Sequence, residues 1–405
     1  MSQPTTSVVI AGAGPVGCLM ALYLAQRDID VLLLEKEAQL PVDLRASTFH
    51  PPSLEMIAEL GFGVIEAMLA KGLVADRYQY RDRRSGEVAS FDMSLIADST
   101  RFPFRLQLEQ YEFTRIVVDR LAQLPSATVR FGCEVTGFAQ DDDHVAVQVD
   151  TAAGRETVGA DFLVSTEGAR SRIRKLANID YLGFTYDEKF LVVSTDFPFE
   201  DVFEDLSWVN YVSDPEEWCV ILRTEKLWRV LFPTTPETVE DEARLLSDAF
   251  IQERLHHLWD KEGDYHIGHR TLYNVNQRVA ETYFKGRVLL AGDACHINNP
   301  LGGMGMNGGL HDGNNLAAKL VRIIRDGAPH LAEFEHYNRQ RRDLAVRFVQ
   351  EHTIANKKLM EARDMATQQA RQQMLMETAA DPVKAKAFLL ERAMINCVRD
   401  SEALA

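Results

Sequence analysis

Apolar and polar positions alternate along this chain in three textures. Short unbroken apolar runs at Ser7 to Ile10 and Val31 to Leu34 are the pattern of strands buried on both faces of a parallel sheet. Between them a glycine-rich turn opens a helix that extends to about Arg27. The same kind of run returns at Val288 to Leu290, passes through Gly292 and Asp293, and enters a loop with Pro300 and glycines at 302, 303, 305, 308 and 309. A helix-like segment from Asp312 to Leu320 follows.

Period-two alternation marks the second texture. Thr128 to Leu163 reads as a small antiparallel meander, broken by acids at Asp141 to Asp143, that returns to the main sheet. Lys189 to Thr234 offers four strand-like runs, FLVVSTDF, SWVNYVS, EWCVILRTE and LWRVLFPT. They predict a separate antiparallel sheet with one face on helices and the other lining a cavity. The third texture is helical: Ser53 to about Leu60, the strand-to-helix stretch Leu106 to Leu121, Asp241 to Trp259, and nearly everything past Leu320. The last part, rich in Ala, Gln and Met, suits two or three closing helices that pack on the molecule or on a partner subunit.

Composition narrows the classes. A chain of 405 residues, 46% hydrophobic, supports a substantial core and up to two domains. Its net charge of -16 argues against nucleic acid and anionic membranes as partners. Five cysteines, Cys18, Cys133, Cys219, Cys295 and Cys397, are widely spaced and form no CxxC pair. They read as reduced thiols of a cytoplasmic protein. The apolar segment Thr6 to Ala25 lacks a basic leader and holds three glycines and a proline, so it is read as strand, turn and helix and not as a membrane or export signal. No metal-ligand cluster and no nucleophile elbow is apparent, and the pair His256-His257 reads as a solvated helix face.

The first glycine turn carries chemistry. Gly12, Gly14, Pro15, Val16 and Gly17 lie between a strand and a helix, and Glu35, followed by Lys36, ends the next strand. Such glycines permit the tight turn and the close approach of a pyrophosphate, while the acid accepts hydrogen bonds from a ribose. That combination points to FAD or NAD. The second glycine loop, with Gly292, Asp293, Pro300, Gly303, Gly305, Met306 and Asn307, exposes backbone N–H groups next to a helix dipole and so suits a flat, electron-rich guest. Arg45 reads either as a phosphate partner or as a surface ion pair. His50 is a base or pocket hydrogen-bond partner, or else a capping or core histidine. Gln110 stands where a side chain reaches a ribityl or ribose hydroxyl, or simply caps its helix. The turn with Arg170, Arg172 and Arg174 is a phosphate site or a solvated basic loop. Arg223 is a partner for a substrate carboxylate or a turn-side ion pair, and Tyr211 is a further substrate candidate from the antiparallel sheet.

The motifs GAGPVG with Glu35, RASTFHPP, EQYEFTR and GDACHINNPLGGMGMNGGLHDGNNLAAKL together resemble the FAD-dependent single-component aromatic hydroxylases typified by p-hydroxybenzoate hydroxylase, from about residue 7 to 345. The resemblance implies an α/β fold with a Rossmann-like FAD-binding domain on a mostly parallel sheet, built from residues 1–75, 105–180 and 275–345. It further implies an antiparallel-sheet substrate domain from 76–104 and 181–274, and C-terminal helices over 346–405. Gly12, Gly14, Gly17 and Glu35 would hold the ADP half of FAD. Arg45 and Gln110 would lie along the cofactor, Asp293 at the ribityl chain, and the loop from Pro300 to Asn307 against the isoalloxazine. The implied reaction uses NADH or NADPH and O2 to hydroxylate a small aromatic substrate through a C4a-hydroperoxyflavin, with His50 as a base and Pro300 at the reacting face. A halogenase, epoxidase or reductase on the same scaffold is the alternative, and a homodimer formed through the closing helices is one assembly open to the chain. One departure stands out: Glu167 precedes Gly168 where the family usually carries Asp.

Overall fold

The structure is a computed structural model describing residues 6–42, 44, 46–350, 353–355, 357–358 and 364–404. Among these residues the longer strands form two eight-stranded sheets, and three short strands form a third. In the first sheet Thr6–Ala11 is central and pairs in parallel with Val31–Leu34 and with Gly154–Ser165. Ala127–Arg130 extends the sheet beyond Val31–Leu34, and Val288–Leu290 extends it beyond Gly154–Ser165, both in parallel. The alternation of side chains sorts the central strand into two cores. Val8 and Ile10 pack under helices, against residues such as Leu19 and Leu316. Val9 and Ala11 pack under the meander of Glu134–Gln140 and Val145–Thr151. Both faces are dry, which is why these strands read as unbroken apolar runs.

The second sheet is antiparallel except where Val209–Ser213 runs beside Arg77–Asp82. The four strands expected from Lys189 to Thr234 are Tyr181–Thr195, Val209–Ser213, Cys219–Arg223 and Trp228–Thr234. Its longest pairing was not foreseen: Ile267–Ala280 runs antiparallel to Tyr181–Thr195 with a bulge between Thr185 and Lys189. The sequence IGHRTLYNVNQRVA alternates weakly, and most of its residues are only half buried, so the period-two signal is faint there. One face of the sheet carries Leu191, Val193, Cys219, Ile221, Val230 and Phe232 against Phe250, Ile251 and Leu255 of the helix Asp248–Leu258. The other lines a cavity with Val192, Leu222 and Leu231 and packs Tyr78, Val209 and Val220 in one cluster with Leu375 and Leu389 of the closing helices.

The helix after the second glycine loop differs from its expected extent. It runs Met304–Asp326, eight residues earlier than the expected start at Asp312, so Gly305, Gly308 and Gly309 lie inside it and not in a loop. Their smallness serves packing. This helix crosses the helix Pro15–Ala25 so closely that a Cβ on Gly309 would lie 2.9 Å from Val16 Cγ2 and 3.0 Å from Gly292 Cα, and one on Gly313 3.1 Å from Val16 Cγ1. Gly292, at φ +65, meets the same valine. Glycines that look like a ligand cradle in sequence are in part the seam that brings the two ends of the chain together. Gly309→Ala must push backbone as well as Val16, and is expected to cost about 1–3 kcal/mol, in the range of core overpacking. A Tm unchanged within a degree would show that the seam yields freely.

Candidate active site

The first half of the site is set by the turn after Thr6–Ala11. Gly12 has φ +107, and a Cβ there would lie 2.6 Å from the Thr166 carbonyl oxygen; one on Gly17 would lie 2.1 Å from the Gly12 oxygen. Only glycine fits either place. The Thr166 hydroxyl donates to Gly12 O at 2.8 Å. Gly14 caps the helix Pro15–Ala25 without a side-chain bond, which leaves the helix N-terminus open to an anion. Glu35 braces the turn: its Oε2 accepts from the Ala13 N–H at 2.9 Å and its Oε1 from the Glu37 N–H at 3.1 Å.

The second half rests on buried polar groups beneath the loop at Pro300 to Gly303. Asn307 is fully buried; its Oδ1 accepts from the His50 N–H at 2.8 Å, and its Nδ2 donates to Thr48 O and Gly303 O. His50 is also fully buried, and its Nε2 donates to Gly302 O at 2.8 Å. A carbonyl can only accept, so the proton sits on Nε2, while Nδ1 has no partner. One turn further, Asp312 Oδ2 meets His296 Nε2 at 2.8 Å and the Gly292 N–H at 3.3 Å, and its Oδ1 takes Arg341 Nε at 2.7 Å. Burial opposes charge on Asp312, yet His296 and Arg341 bring its pKa below the ordinary carboxylate value.

A single cavity of about 1260 Å3 connects the two halves. Gly12, Gly14, Pro15, Val16, Glu35 and Lys36 line one end; Gln110, Thr166 and Arg170 line its flank; Asp293, Pro300, Gly303, Gly305 and Met306 line the other end. Across from that loop stand Val192, Val209, Tyr211, Val220, Leu222 and Leu231 from the second sheet. The volume exceeds the roughly 300–1,000 Å3 of ordinary ligand pockets. A narrow cradle at one end and an apolar chamber at the other suit an extended dinucleotide with its flat ring beside a small substrate. The open space that a Cβ on Gly14 would enter, beside the uncapped N-terminus of the helix Pro15–Ala25, fits the pyrophosphate of FAD.

Several expected site residues stand elsewhere. His50 does not line the cavity; it lies behind the loop, and burial together with the Arg105 charge pushes its pKa down to about 3. A base so weak and so enclosed does not deprotonate a substrate, so His50 positions the loop. Asn307 likewise clamps the loop with its amide and does not reach the cavity. Arg223 alternates with Leu222 onto the opposite face of its strand, where it pairs with Glu200 at 3.7 Å, away from the cavity. Arg45 lies outside the described residues. Arg174 is buried, donating to Ala294 O and Ala169 O, so of the arginine turn Arg170 and Arg172 line the cavity. Glu167 spends one oxygen on the Ser165 and Ser171 hydroxyls and the Ile173 N–H, tying this turn to the helix Arg172–Leu176.

Two residues of the chamber were missed. Arg229 Nη2 pairs with Glu109 at 2.8 Å and its Nη1 donates to Ser47 Oγ at 3.3 Å. Arg105 is 3% exposed, with Nη1 3.4 Å from the Tyr211 hydroxyl. The alternation of Phe104, Leu106 and Leu108 around Arg105 was the available signal, since it places Arg105 on the face opposite the core.

A dinucleotide cradle opening into a largely aliphatic chamber defines a flavoprotein that acts on a small organic substrate. The FAD binding domain family matches residues 5–352, and the chain belongs to it. It is 30% identical over 398 residues to para-nitrophenol 4-monooxygenase of Pseudomonas sp. (strain WBC-3), covering 96% of both chains. It is also 30% identical over 323 residues to 6-hydroxy-3-succinoylpyridine 3-monooxygenase of Pseudomonas putida (strain DSM 28022 / S16), covering 79% of this chain and 80% of the relative. The crystal structure of p-nitrophenol 4-monooxygenase from Pseudomonas putida DLL-E4 superposes with a TM-score of 0.90 at 29% identity, over 97% of this chain and 99% of that one. The protein is thus an FAD-dependent, NAD(P)H-dependent aromatic hydroxylase. Among the described residues no helix is long and apolar enough to cross a membrane.

The assignment of His50 has a pH signature. In the fold it is held neutral, whereas the same side chain in an unfolded chain takes a proton below about pH 6.5. Its contribution to stability is therefore complete above about pH 6.5 and falls by roughly 1.4 kcal/mol per pH unit as pH drops toward about 3. His50→Gln keeps a donor for Gly302 O and cannot titrate. Urea unfolding should show the variant less stable than wild type at pH 7.5, with the gap closing steadily below pH 6.5. A gap that stays constant with pH would mean that His50 is not buried as the neutral form.

Proposed function

We propose that the substrate is a small phenol that enters between the glycine loop and the sheet strands Val209–Ser213, Cys219–Arg223 and Trp228–Thr234. The observation that carries this is the chamber opposite Pro300 to Met306, whose wall of Val192, Val209, Val220, Leu222 and Leu231 is interrupted by Tyr211, Arg105 and Arg229 and, on the strand Ile267–Ala280, by Tyr273, Asn274 and Asn276. Such a wall holds a single aromatic ring and offers few polar groups for orienting it. When bound, FAD supplies electrons from NAD(P)H and the activation of O2, the co-substrate of this reading. The protein's own part is positional and electrostatic. Gly12, Gly14, Pro15, Val16, Glu35 and Lys36 would hold the adenine end, Gln110 and Asp293 the middle, and Pro300, Gly303, Gly305 and Met306 the ring. Gly305 and Met306 lie in the first turn of a 23-residue helix, where N–H groups lack intrahelical partners and the dipole favours negative charge. Fixed donors of this kind stabilise charge developing at the ring without reorganising, and the closed apolar wall keeps water from the reacting atoms.

The names of the relatives support a phenol or hydroxypyridine bearing a polar substituent. The homodimer belongs to the same reading: Met365, Met376 and Val383 on the closing helices are 59%, 44% and 78% exposed, and a second copy would cover them. Purified protein incubated with FAD, NADH or NADPH and a panel of phenols, hydroxypyridines and aromatic acids should show substrate-stimulated oxidation of the nicotinamide, with an oxygenated product by mass spectrometry. Stimulation with peroxide alone and no oxygenated product from any ring would overturn the substrate class.

A further inference from the structure

Beside the main chamber lies a recess of about 40 Å3, bounded by the strands Arg77–Asp82 and Val209–Ser213 and by the closing helices. Arg105, Tyr211, Leu301 and Gly302 line both spaces, so the recess is a side arm of the chamber at its reactive end. A single water needs roughly 10–15 Å3 of such space. The arm therefore takes a substituent and not a second ring.

Its chemistry is one-sided. Arg105 is 3% exposed and lies with its guanidinium 4.2 Å from the centre of the Tyr78 ring. Its Nη1 reaches the Tyr211 hydroxyl, its Nε has no partner, and no carboxylate among the described residues pairs with it. The Tyr78 hydroxyl, also fully buried, has no partner either. Arg371 and Arg392 line the far side, the former with its guanidinium 5.7 Å from the Tyr80 ring centre. No aspartate or glutamate among the described residues lines the arm. Burial raises the pKa of Tyr78 and Tyr80, so both stay neutral and act as donors. An arginine does not shed its proton at accessible pH, and a buried cation without a counter-charge is costly. The unmet donors of Arg105 Nε and the Tyr78 hydroxyl, beside a guanidinium that no carboxylate among the described residues pairs with, match one kind of guest.

We propose that this arm is the subsite for a substituent carrying a pair of electron-rich acceptor oxygens, a carboxylate or a nitro group, on the phenol of the functional reading above, and that Arg105 is its anchor. The planar guanidinium presents two N–H groups to two oxygens at once. Tyr211 and Tyr78 complete the set of donors. The ring is thereby held with its substituent in the arm and its remaining carbons under the loop at Pro300 to Gly303. Arg105 thus selects among phenols, and it rests on the phenol reading being right.

The test is calorimetric titration of the full-length FAD-loaded enzyme with 4-hydroxybenzoate, 4-nitrophenol and 4-methylphenol, which share a ring and a hydroxyl. Wild type should bind at least one of the first two about 10- to 100-fold more tightly than the methyl compound, the worth of a charge-assisted hydrogen bond. Which of the two gains more distinguishes a carboxylate from a nitro guest. Arg105→Met should bring all three within about threefold of one another, by loss of affinity for the oxygen-bearing ligands only, at about the size of the lost charge-assisted bond. Arg105→Lys should retain part of the preference. Equal weakening of all three ligands in Arg105→Met would make the residue a scaffold and overturn the assignment. A wild-type enzyme that binds 4-methylphenol as tightly as the others overturns it without any variant. Turnover of neutral phenols as fast as acidic ones removes the anchor and leaves the phenol reading standing, whereas failure of every phenol to stimulate NAD(P)H oxidation removes both.

Discussion

The site depends on one close contact, the crossing of Pro15–Ala25 over Met304–Asp326. These helices follow the two glycine turns, and each turn is useful only if the other lies beside it. Val16 is the pivot, since it fits into the space left by Gly292, Gly309 and Gly313. A side chain at any of these three would hold the helices apart and separate the adenine end of the cavity from its reactive end. The constraint also orients the helix N-termini: both open into the same cavity, so two dipoles act on one ligand.

Beneath the reactive loop the fold uses buried polar groups where an ordinary core would use leucine. Asn307 holds the loop to Thr48 and His50, His50 holds Gly302, and Asp312 joins His296, Arg341 and the Gly292 N–H. Breaking one partner of such a network leaves a buried group unsatisfied, at about 1–3 kcal/mol for a neutral group and more for a charge. The network therefore allows few loop positions, whereas an apolar layer would allow sliding. Pre-organisation of the loop N–H groups is the functional return. His50 and Asn307 matter to the chemistry through the loop that they fix.

The parts legible in sequence are those where one residue type has one physical reason to be there. Gly12 and Gly17 are such places, as is Glu35 at the end of its strand, and the unbroken runs of the parallel sheet follow from burial on both faces. The antiparallel strands were legible as strands, but their faces were not used: Cys219 and Ile221 are apolar as well as Val220 and Leu222, so alternation alone does not say which face carries the cavity. Sequence leaves Arg223 open between a substrate partner and a turn-side ion pair and gives no sign of Arg229, although one register fixes both. His50 reads in sequence either as a base or as a capping or core histidine, because sequence does not reveal the full burial that decides between them. The glycines at 308 and 309 were read as cradle because loop and helix both tolerate them, and only the neighbouring helix explains them.

The charge of the molecule works in two ranges. A chain with net charge -16 presents a negative surface, and at physiological salt that field is screened beyond about 8 Å. It does not steer an anionic substrate inward. Arg105 and Arg229 lie behind this surface, 3% and 6% exposed, where screening is weak and each contact counts for more. Arg229 already has Glu109 as a counter-charge; Arg105 has tyrosines. Of two buried guanidinium groups on one wall, the first is neutralised by the protein and braces the wall. The second keeps its charge for a ligand, so discrimination among rings arises after entry, by desolvated contact, and not from attraction at a distance.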